Sequence, residues 1–179
     1  MLDVKDRQAI VAKALVEVNK ARAGLDCREL GSMPIATPGS YSDCAVQRGL
    51  RDLAPQCKVM AGSITFTSQA CARRVHRAWY GYGTVARVDK EVTLPPAIVD
   101  FISHFDSFGL PEMIDPTTFV KLCIPTEPDA LARWEAARNW LMRHGKLPEG
   151  EVETIVTDEA IQAEIIDAAS DQVQELVGV

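Results

Sequence analysis

Long apolar runs are missing from this 179-residue chain, and its first residues do not have the pattern of a signal peptide. No run approaches the roughly 18 consecutive apolar residues that a membrane-spanning helix requires. The first residues, Met-Leu-Asp-Val-Lys-Asp-Arg, mix acids and bases where a signal peptide would have a basic and then an apolar stretch. These absences predict a protein of the cytoplasm that makes no contact with a membrane.

Closely spaced cysteine pairs are also absent. The cysteines are five, an odd number, and they stand far apart, at Cys27, Cys44, Cys57, Cys71 and Cys123. Structural zinc sites recruit their ligands as closely spaced pairs, so a zinc site that combines four of the cysteines with His76 or His104 is the weaker interpretation. We expect reduced thiols that pack as small apolar side chains, with no metal and no cofactor.

Common catalytic motifs are lacking too. The sequence has no phosphate-binding Gly-x-x-x-x-Gly-Lys-Ser/Thr loop, no Gly-x-Gly-x-x-Gly, no His-Glu-x-x-His and no Gly-x-Ser-x-Gly. A nucleophilic pair of Cys71 or Cys44 with His104 could be assembled only in space, and no pattern selects it. The sequence therefore predicts a protein that is not an enzyme.

One acidic stretch could in principle hold a cation. Its members are Asp100, Asp106, Glu112 and Asp115. Their spacing lacks the alternating ligand pattern of a calcium loop. We therefore interpret them as solvated acids of loops and helix ends.

Hydrophobic periodicity predicts a helix-rich α+β domain with a small antiparallel sheet and amphipathic helices at both ends. The residues expected to face the core are, in chain order, Val4, Val11, Leu15 and Val18 in the first helix, Val59, Ile64 and Phe66 in a hairpin, Ile98, Phe101, Ile102 and Phe105 in the helix that begins at Pro95, and Trp134 and Leu141 in the helix after Thr126. The predicted helices are residues 4–23, a helix capped by Ser42 or Asp43 and ended by Pro55, a helix from Ser68 to Tyr80, a helix from Pro95 to Phe105, a helix opened by a capping box of Thr126 with Asp129, and a long helix from Asp158. The predicted strands are two short ones within 57–66, one within 84–94, one over 119–124 and one over 151–156. We expect residues 1–146 to form the core domain and residues 147–179 to form an added acidic element.

Positive charge is absent from the end of the chain. Residues 147–179 contain nine acids and no Lys or Arg, whereas the whole chain carries a net charge of −6. The predicted terminal helix combines these acids with an apolar face, which suits docking on a basic protein groove. The candidate partner-binding residues are Glu159, Glu164, Asp167, Asp171 and Glu175. Alternatively, the apolar face packs on the protein itself and the acids are only solvated.

Basic residues concentrate instead around the helix from Ser68 to Tyr80. The candidates for contacting nucleic acid are Arg73, Arg74, Arg77, Arg87 and Lys90. Arginines one helical turn apart, followed by tyrosines, could contact phosphates, although a pI of about 5.1 is unusual for a nucleic-acid-binding domain. A further possibility is that the acidic segment neutralises these arginines, within one chain or across a dimer.

Parts of residues 43–124 resemble a known group of proteins. The run from Asp43 to Arg51 resembles a Cys-Pro-[Ile/Val]-x-x-Ala-Leu-Arg opening, and the run from Leu94 to Asp106 resembles a Leu-Pro-x-x-Val-x-x-[Phe/Trp]-Ile-x-x-Phe-Asp core. The run from Pro116 to Leu122 resembles a closing Pro-x-x-Phe-x-x-Leu. This pattern is similar to that of small accessory proteins from phages of actinobacteria. The resemblance implies a phage or prophage origin and supplies no site residues.

The sequence as a whole favours an accessory protein that binds a host or phage protein through a charge-segregated surface. The first alternative is a nucleic-acid-binding regulator that uses the basic helix 68–80. The second is a virion component that self-assembles into a homo-oligomer through its amphipathic ends. For a phage-encoded protein, the expected location is the cytoplasm of the host cell.

Overall fold

A computed structural model gives the structure of residues 2–40, 43–51, 57–82, 89–119, 122 and 124–148. The chain divides into two compact units, Met1–Asp115 and Pro116–Val179. Unit 1 contains, in chain order, α1 (Val4–Gly24), α2 (Ala45–Leu50), β1 (Lys58–Val59), β2 (Ser63–Thr65), α3 (Gln69–Tyr80), β3 (Glu91–Thr93), α4 (Pro96–Asp106) and a 3₁₀ turn (Pro111–Met113). Unit 2 contains α5 (Pro116–Phe119) and α6 (Pro128–Arg143). The predicted helix-rich α+β class with a small antiparallel sheet is confirmed.

The sheet has three antiparallel strands in the order β1-β2-β3. Val59 lies opposite Ile64, and Ile64 lies opposite Val92, so one apolar side chain from each strand lies in a single row across the sheet. All three are buried, whereas their strand neighbours are exposed or half-buried. This alternation places one face of the sheet on the core, as predicted for the hairpin within 57–66.

Helix α1 runs through the middle of unit 1 and packs on α2, α3 and α4. The expected stripe of Val4, Val11, Leu15 and Val18 is wrong except at Val18, because Val4 is 57% exposed and the next two are only half-buried. The buried stripe consists of Ile10, Ala14, Val18 and Ala21. The small side chain of alanine lets neighbouring helices approach closely. A stripe predicted from the larger apolar side chains leaves these alanines out.

Helix α4 follows its sequence pattern. Pro95 is its N-cap and Pro96 begins it, as expected of residues whose missing N–H is not needed in the first turn. The predicted apolar face, Ile98, Phe101, Ile102 and Phe105, is buried. The rings of the two phenylalanines stack with centroids 5.7 Å apart, so this helix supplies much of the aromatic core of unit 1.

Unit 2 contradicts two predictions. Phe119 ends the short helix α5, although a strand was expected from there; Pro116 begins this helix because its fixed φ suits a first turn. The capping box of Thr126 with Asp129 is also wrong, because the N-cap of α6 is Glu127 and no side chain caps it. Trp134 anchors α6 as expected, buried against Phe119 with ring centroids 5.4 Å apart.

The predicted strand 151–156 and terminal helix lie outside the described residues, and so do the acids Glu159, Glu164, Asp167, Asp171 and Glu175. Among the helices that the structure describes, none combines the length and the apolar character needed to cross a membrane.

Candidate interaction surface on helix α3

Helix α3 begins and ends where its sequence predicts. Ser68 is the N-cap, and its hydroxyl accepts a hydrogen bond from the backbone N–H of Cys71 at 3.5 Å. Gly81 ends the helix with a φ of 79°, a conformation that a glycine adopts without strain. The helix between them contains several bases and no acid.

The inner side of α3 is fixed on the rest of unit 1. Ala72 and Val75 are fully buried, and the indole N–H of Trp79 donates to the carbonyl of Glu17 on α1 at 2.8 Å. The hydroxyl of Tyr80 donates to the carbonyl of Thr93 on β3 at 3.0 Å. Contacts with a helix on one side and a strand on the other therefore hold α3 in one orientation.

The outer side of α3 is open to solvent. Residues spaced by three or four positions share one face of a helix, and on this face Ala70, Arg73, Arg77 and Tyr80 are exposed. Tyr82, two residues after the helix, is 78% exposed, the largest value among the exposed large apolar side chains. We call these five residues the α3 surface.

Two arginines of the α3 surface form no ion pair within the described part of the chain. The guanidinium of Arg77 lies over the ring of Tyr82, 4.2 Å from its centroid, in a cation–π contact. Arg73 extends into solvent one turn earlier on the helix. Both cations are therefore exposed, without a carboxylate partner among the described residues.

Arg74 is different from its neighbours because the protein itself uses it. Its Nε donates to the carbonyl of Gly24 at 2.7 Å, and its Nη2 pairs with the carboxylate of Asp26. Asp26 lies 48 residues away in sequence, so no local pattern could have indicated this pair. Of the three arginines predicted on this helix, the structure thus brings Arg73 and Arg77 together on the open surface and assigns Arg74 to the end of α1.

Of the two remaining predicted bases, the structure describes only Lys90. Lys90 is exposed just before β3, and its carbonyl accepts a hydrogen bond from the backbone N–H of Phe66 at 2.8 Å. Arg87 lies outside the described residues. What sequence reasoning missed is the pairing of Arg77 with Tyr82; the signal was an aromatic residue five positions after an arginine, across a helix-ending glycine.

A second cluster of charged side chains lies around Arg48 in unit 1. Unlike Arg73 and Arg77, Arg48 forms ion pairs within the protein. Arg48 donates to both carboxylate oxygens of Asp43, at 2.7 and 2.6 Å, and to the carbonyl of Ile35 at 2.6 Å. It also pairs with Asp115 at 3.4 Å. The hydrogen bond and positive charge of Arg48, together with a hydrogen bond from the hydroxyl of Thr37, hold the pKa of Asp43 below its ordinary value of 3.8. The N–H donors of Arg48 are thus bound by groups of the protein itself, so this cluster joins loops and offers few donors to a ligand.

The prediction that Asp43 caps α2 is wrong, and the same cluster explains why. Asp43 binds Arg48, so it does not cap the helix; the N-cap is Cys44, whose Sγ accepts from the backbone N–H of Gln47 at 3.4 Å. Burial raises the pKa of the Cys44 thiol to about 11 and that of Cys57 to about 11. Because the thiolate is the nucleophile, a thiol with this pKa is a poor one at neutral pH.

The acidic stretch from Asp100 to Asp115 is dispersed in the fold. Asp100 lies 3.4 Å from His104, Asp106 accepts from the backbone N–H of Gly39 at 2.8 Å, and Glu112 pairs with Arg7 at 3.2 Å. Over the whole described part of the chain, no three His, Cys, Asp or Glu side chains converge as a metal site requires.

Comparison with known proteins gives no relative: no family model matches the chain, and neither a curated protein nor a solved structure shows significant similarity to it.

Proposed function

We propose that this protein is a non-enzymatic accessory protein that binds another protein through a charge-segregated surface. The observation that carries the proposal is the α3 surface, where Arg73 and Arg77 have no ion pair in the described chain and Tyr82 is 78% exposed. Arginine and tyrosine are enriched at protein interfaces, where they supply much of the binding energy. A host or phage protein is the partner that the resemblance of residues 43–124 suggests.

The saturated cluster around Arg48 supports this choice of surface. Folded proteins usually satisfy the charged groups that they need for stability, as Arg48 and Arg74 are satisfied here. Arg73 and Arg77 lie on a fixed helix and form no ion pair with any residue that the structure describes. An external partner can therefore bind them without breaking an ion pair of the described part of unit 1.

Site-specific photo-crosslinking tests the proposal. A photoreactive amino acid replaces Ala70 on the α3 surface, and the matched control carries it at Ala12, which is exposed on α1. After irradiation in nuclease-treated lysate, we expect one specific protein adduct from position 70, none from position 12, and loss of the adduct in R73E/R77E. Equal adducts from both positions, or no adduct from either, would contradict the proposal.

Nucleic-acid binding is the second candidate, and two exposed arginines that have no ion pair among the described residues favour it as well. Removing one arginine that binds a phosphate should reduce the slope of log K against log salt by about 0.7 to 0.9. We would measure binding to single- and double-stranded DNA between low and moderate salt for the wild type and for R73A/R77A. Binding with a salt slope that the double variant leaves unchanged would eliminate α3 as its site.

A further inference from the structure

The α3 surface has a geometry that suits carboxylates in particular. Arg73 and Arg77 are four residues apart on one helix, which places their Cβ atoms about 6 Å apart. Acidic side chains that are two residues apart in an extended segment, or four apart in a helix, have a comparable spacing. Two guanidinium groups can therefore each bind one carboxylate of a single acidic segment.

The contact with Tyr82 prepares Arg77 for this role. The ring covers one face of the guanidinium at 4.2 Å and uses none of its N–H donors, which lie in the plane of the group. A guanidinium fixed in this way loses less side-chain entropy when it binds, and its free donors can form a bidentate pair with a carboxylate. The adjacent pair of Arg74 with Asp26 shows that a carboxylate can bind an arginine of this helix.

The rings at the C-terminal end of α3 add an apolar component. Tyr80 is 39% exposed, and its hydroxyl is occupied by the carbonyl of Thr93, so it offers its ring to a partner. Two cations beside two tyrosine rings match a peptide that carries both acids and apolar side chains. A nucleic acid presents a long run of phosphates, and a long phosphate track needs more exposed cations than the two arginines of the α3 surface.

We infer that the α3 surface binds an acidic segment of a partner protein, with two carboxylates paired to Arg73 and Arg77 and an apolar side chain beside them, on the same face of the segment, against Tyr80 and Tyr82. This inference rests on the proposed function and names the chemistry of the partner. Charge complementarity selects the acids, and the exposed tyrosines select an acidic segment that also carries apolar residues.

An NMR titration of the full chain tests the inference. The probe is a 15-residue peptide that repeats Glu-Ser-Glu-Ser-Leu three times, so that two acids and a leucine of each repeat share one face of an extended segment. Its control has Gln in place of each Glu. We expect amide shift changes confined to residues 69–82, and a dissociation constant at least tenfold larger for R73Q/R77Q. The matched variant K5Q/K13Q, which removes two exposed lysines of α1, should change the constant less than twofold.

Each outcome has a defined meaning. Equal binding of the Gln peptide, shift changes outside residues 69–82, or equal affinity in R73Q/R77Q would overturn the inference. A 15-nucleotide single-stranded DNA that displaces the peptide and binds more tightly would overturn it in favour of nucleic acid. If position 70 still crosslinks to a protein while the acidic peptide does not bind, the proposed function stands and the acidic segment is eliminated.

Discussion

At the scale of single residues, the arginines of unit 1 differ in how completely they are paired. Arg22 is buried, with its Nε donating to the carbonyl of Arg28 at 2.6 Å and its Nη1 to that of Gly49 at 2.5 Å. Arg48 binds two carboxylates and a carbonyl. Charge-assisted hydrogen bonds of this kind are stronger than neutral ones, so these two arginines stabilise the loops that they join. Arg73 and Arg77 are exposed to solvent and form no ion pair with a described residue.

The substitution Asp43→Asn tests the stabilising role of the Arg48 network. It places an amide N–H₂ against the guanidinium and removes the charge, so we expect a loss of about 1–2 kcal/mol in the free energy of unfolding at pH 7. The control Asp26→Asn affects a side chain that is 84% exposed and should cost no more than about 0.5 kcal/mol. Urea denaturation of both variants gives the comparison, and equal losses would contradict the argument.

The same pair predicts a pH dependence. The folded-state pKa of Asp43 is lowered below 3.8, mainly by its hydrogen bond with Arg48, so its contribution to stability is fully present above the unfolded pKa. That contribution is lost as the pH falls through the lower, folded-state pKa. The difference in unfolding free energy between wild type and Asp43→Asn should therefore stay constant from pH 7 to about 5 and shrink below about 4. A difference that persists at the lowest pH at which the protein folds would contradict the charge-based explanation.

The cysteines should differ in reactivity. Burial raises the pKa of Cys44 and Cys57 to about 11, whereas Cys27 and Cys71 are half-buried. Because alkylation requires an accessible thiolate, we expect iodoacetamide at pH 8 to label the latter two first and the former two only after unfolding. Peptide mass spectrometry measures each site separately; early labelling of Cys44 or Cys57 would show that the site opens in the native state.

At the scale of secondary-structure elements, close approach between helices depends on small residues. A Cβ added to Gly24 at the end of α1 would lie 2.8 Å from the Cβ of Ala78 and 3.1 Å from the carbonyl oxygen of Arg74, both on α3. Distances this short require the helices to move apart. Gly24 is therefore the residue that lets α1 and α3 pack as they do.

Gly24→Ala should consequently destabilise unit 1 by about 1–3 kcal/mol, the usual cost of overpacking. Gly31→Ala is the matched control, because nothing lies within 4 Å of its added Cβ and its backbone is not in the left-handed region. Thermal unfolding followed by circular dichroism distinguishes the two. A neutral Gly24→Ala would show that α3 shifts easily, and that the α3 surface is not held in a fixed orientation.

The sequence was informative where an element carries its own signal. The proline pair and apolar face predicted α4, and Ser68 and Gly81 bounded α3, since these signals lie within a few residues of the helix that they define. The sequence-based prediction was wrong where contacts between distant residues determine which side chain is buried or which residue caps a helix. The buried stripe of α1 consists partly of alanines selected by neighbouring helices, and Asp43 is removed from capping by Arg48 and its contact with Asp115. For the same reason, the sequence suggested three arginines as a site, and only the fold separates Arg74 from the other two.

At the scale of the whole molecule, the α3 surface and many of the acids belong to different parts of the chain. Unit 1 has its own core and presents the α3 surface, while residues 147–179 hold nine of the acids. Exposed ion pairs weaken as salt screens them, over a Debye length of about 10 Å at 0.1 M. We therefore expect binding at the α3 surface to weaken between 50 and 500 mM salt while the stability of unit 1 changes little.

The last residues of unit 1 close its core, and this predicts where the chain can be cut. Leu110 and Ile114 are fully buried, Glu112 pairs with Arg7, and Asp115 pairs with Arg48. The backbone N–H of Ala36 donates to the carbonyl of Met113 at 3.0 Å, and Asp115 N–H donates to the carbonyl of Ala36 at 2.8 Å. Residues 110–115 thus bind the loop before α2 as well as the start of α1.

A fragment of residues 1–115 should therefore fold, and a fragment of residues 1–109 should not. Removal of two fully buried aliphatic side chains costs about 2–5 kcal/mol each, which together with the missing ion pairs approaches the 5–15 kcal/mol that stabilises a typical domain. Circular dichroism melts and amide NMR spectra of the two fragments measure this directly. The fragment 1–115 should also retain the affinity of the full chain for the acidic peptide, since the whole α3 surface lies within it. Cooperative unfolding of 1–109 at the same temperature as 1–115 would show that residues 110–115 only decorate a core that is already complete.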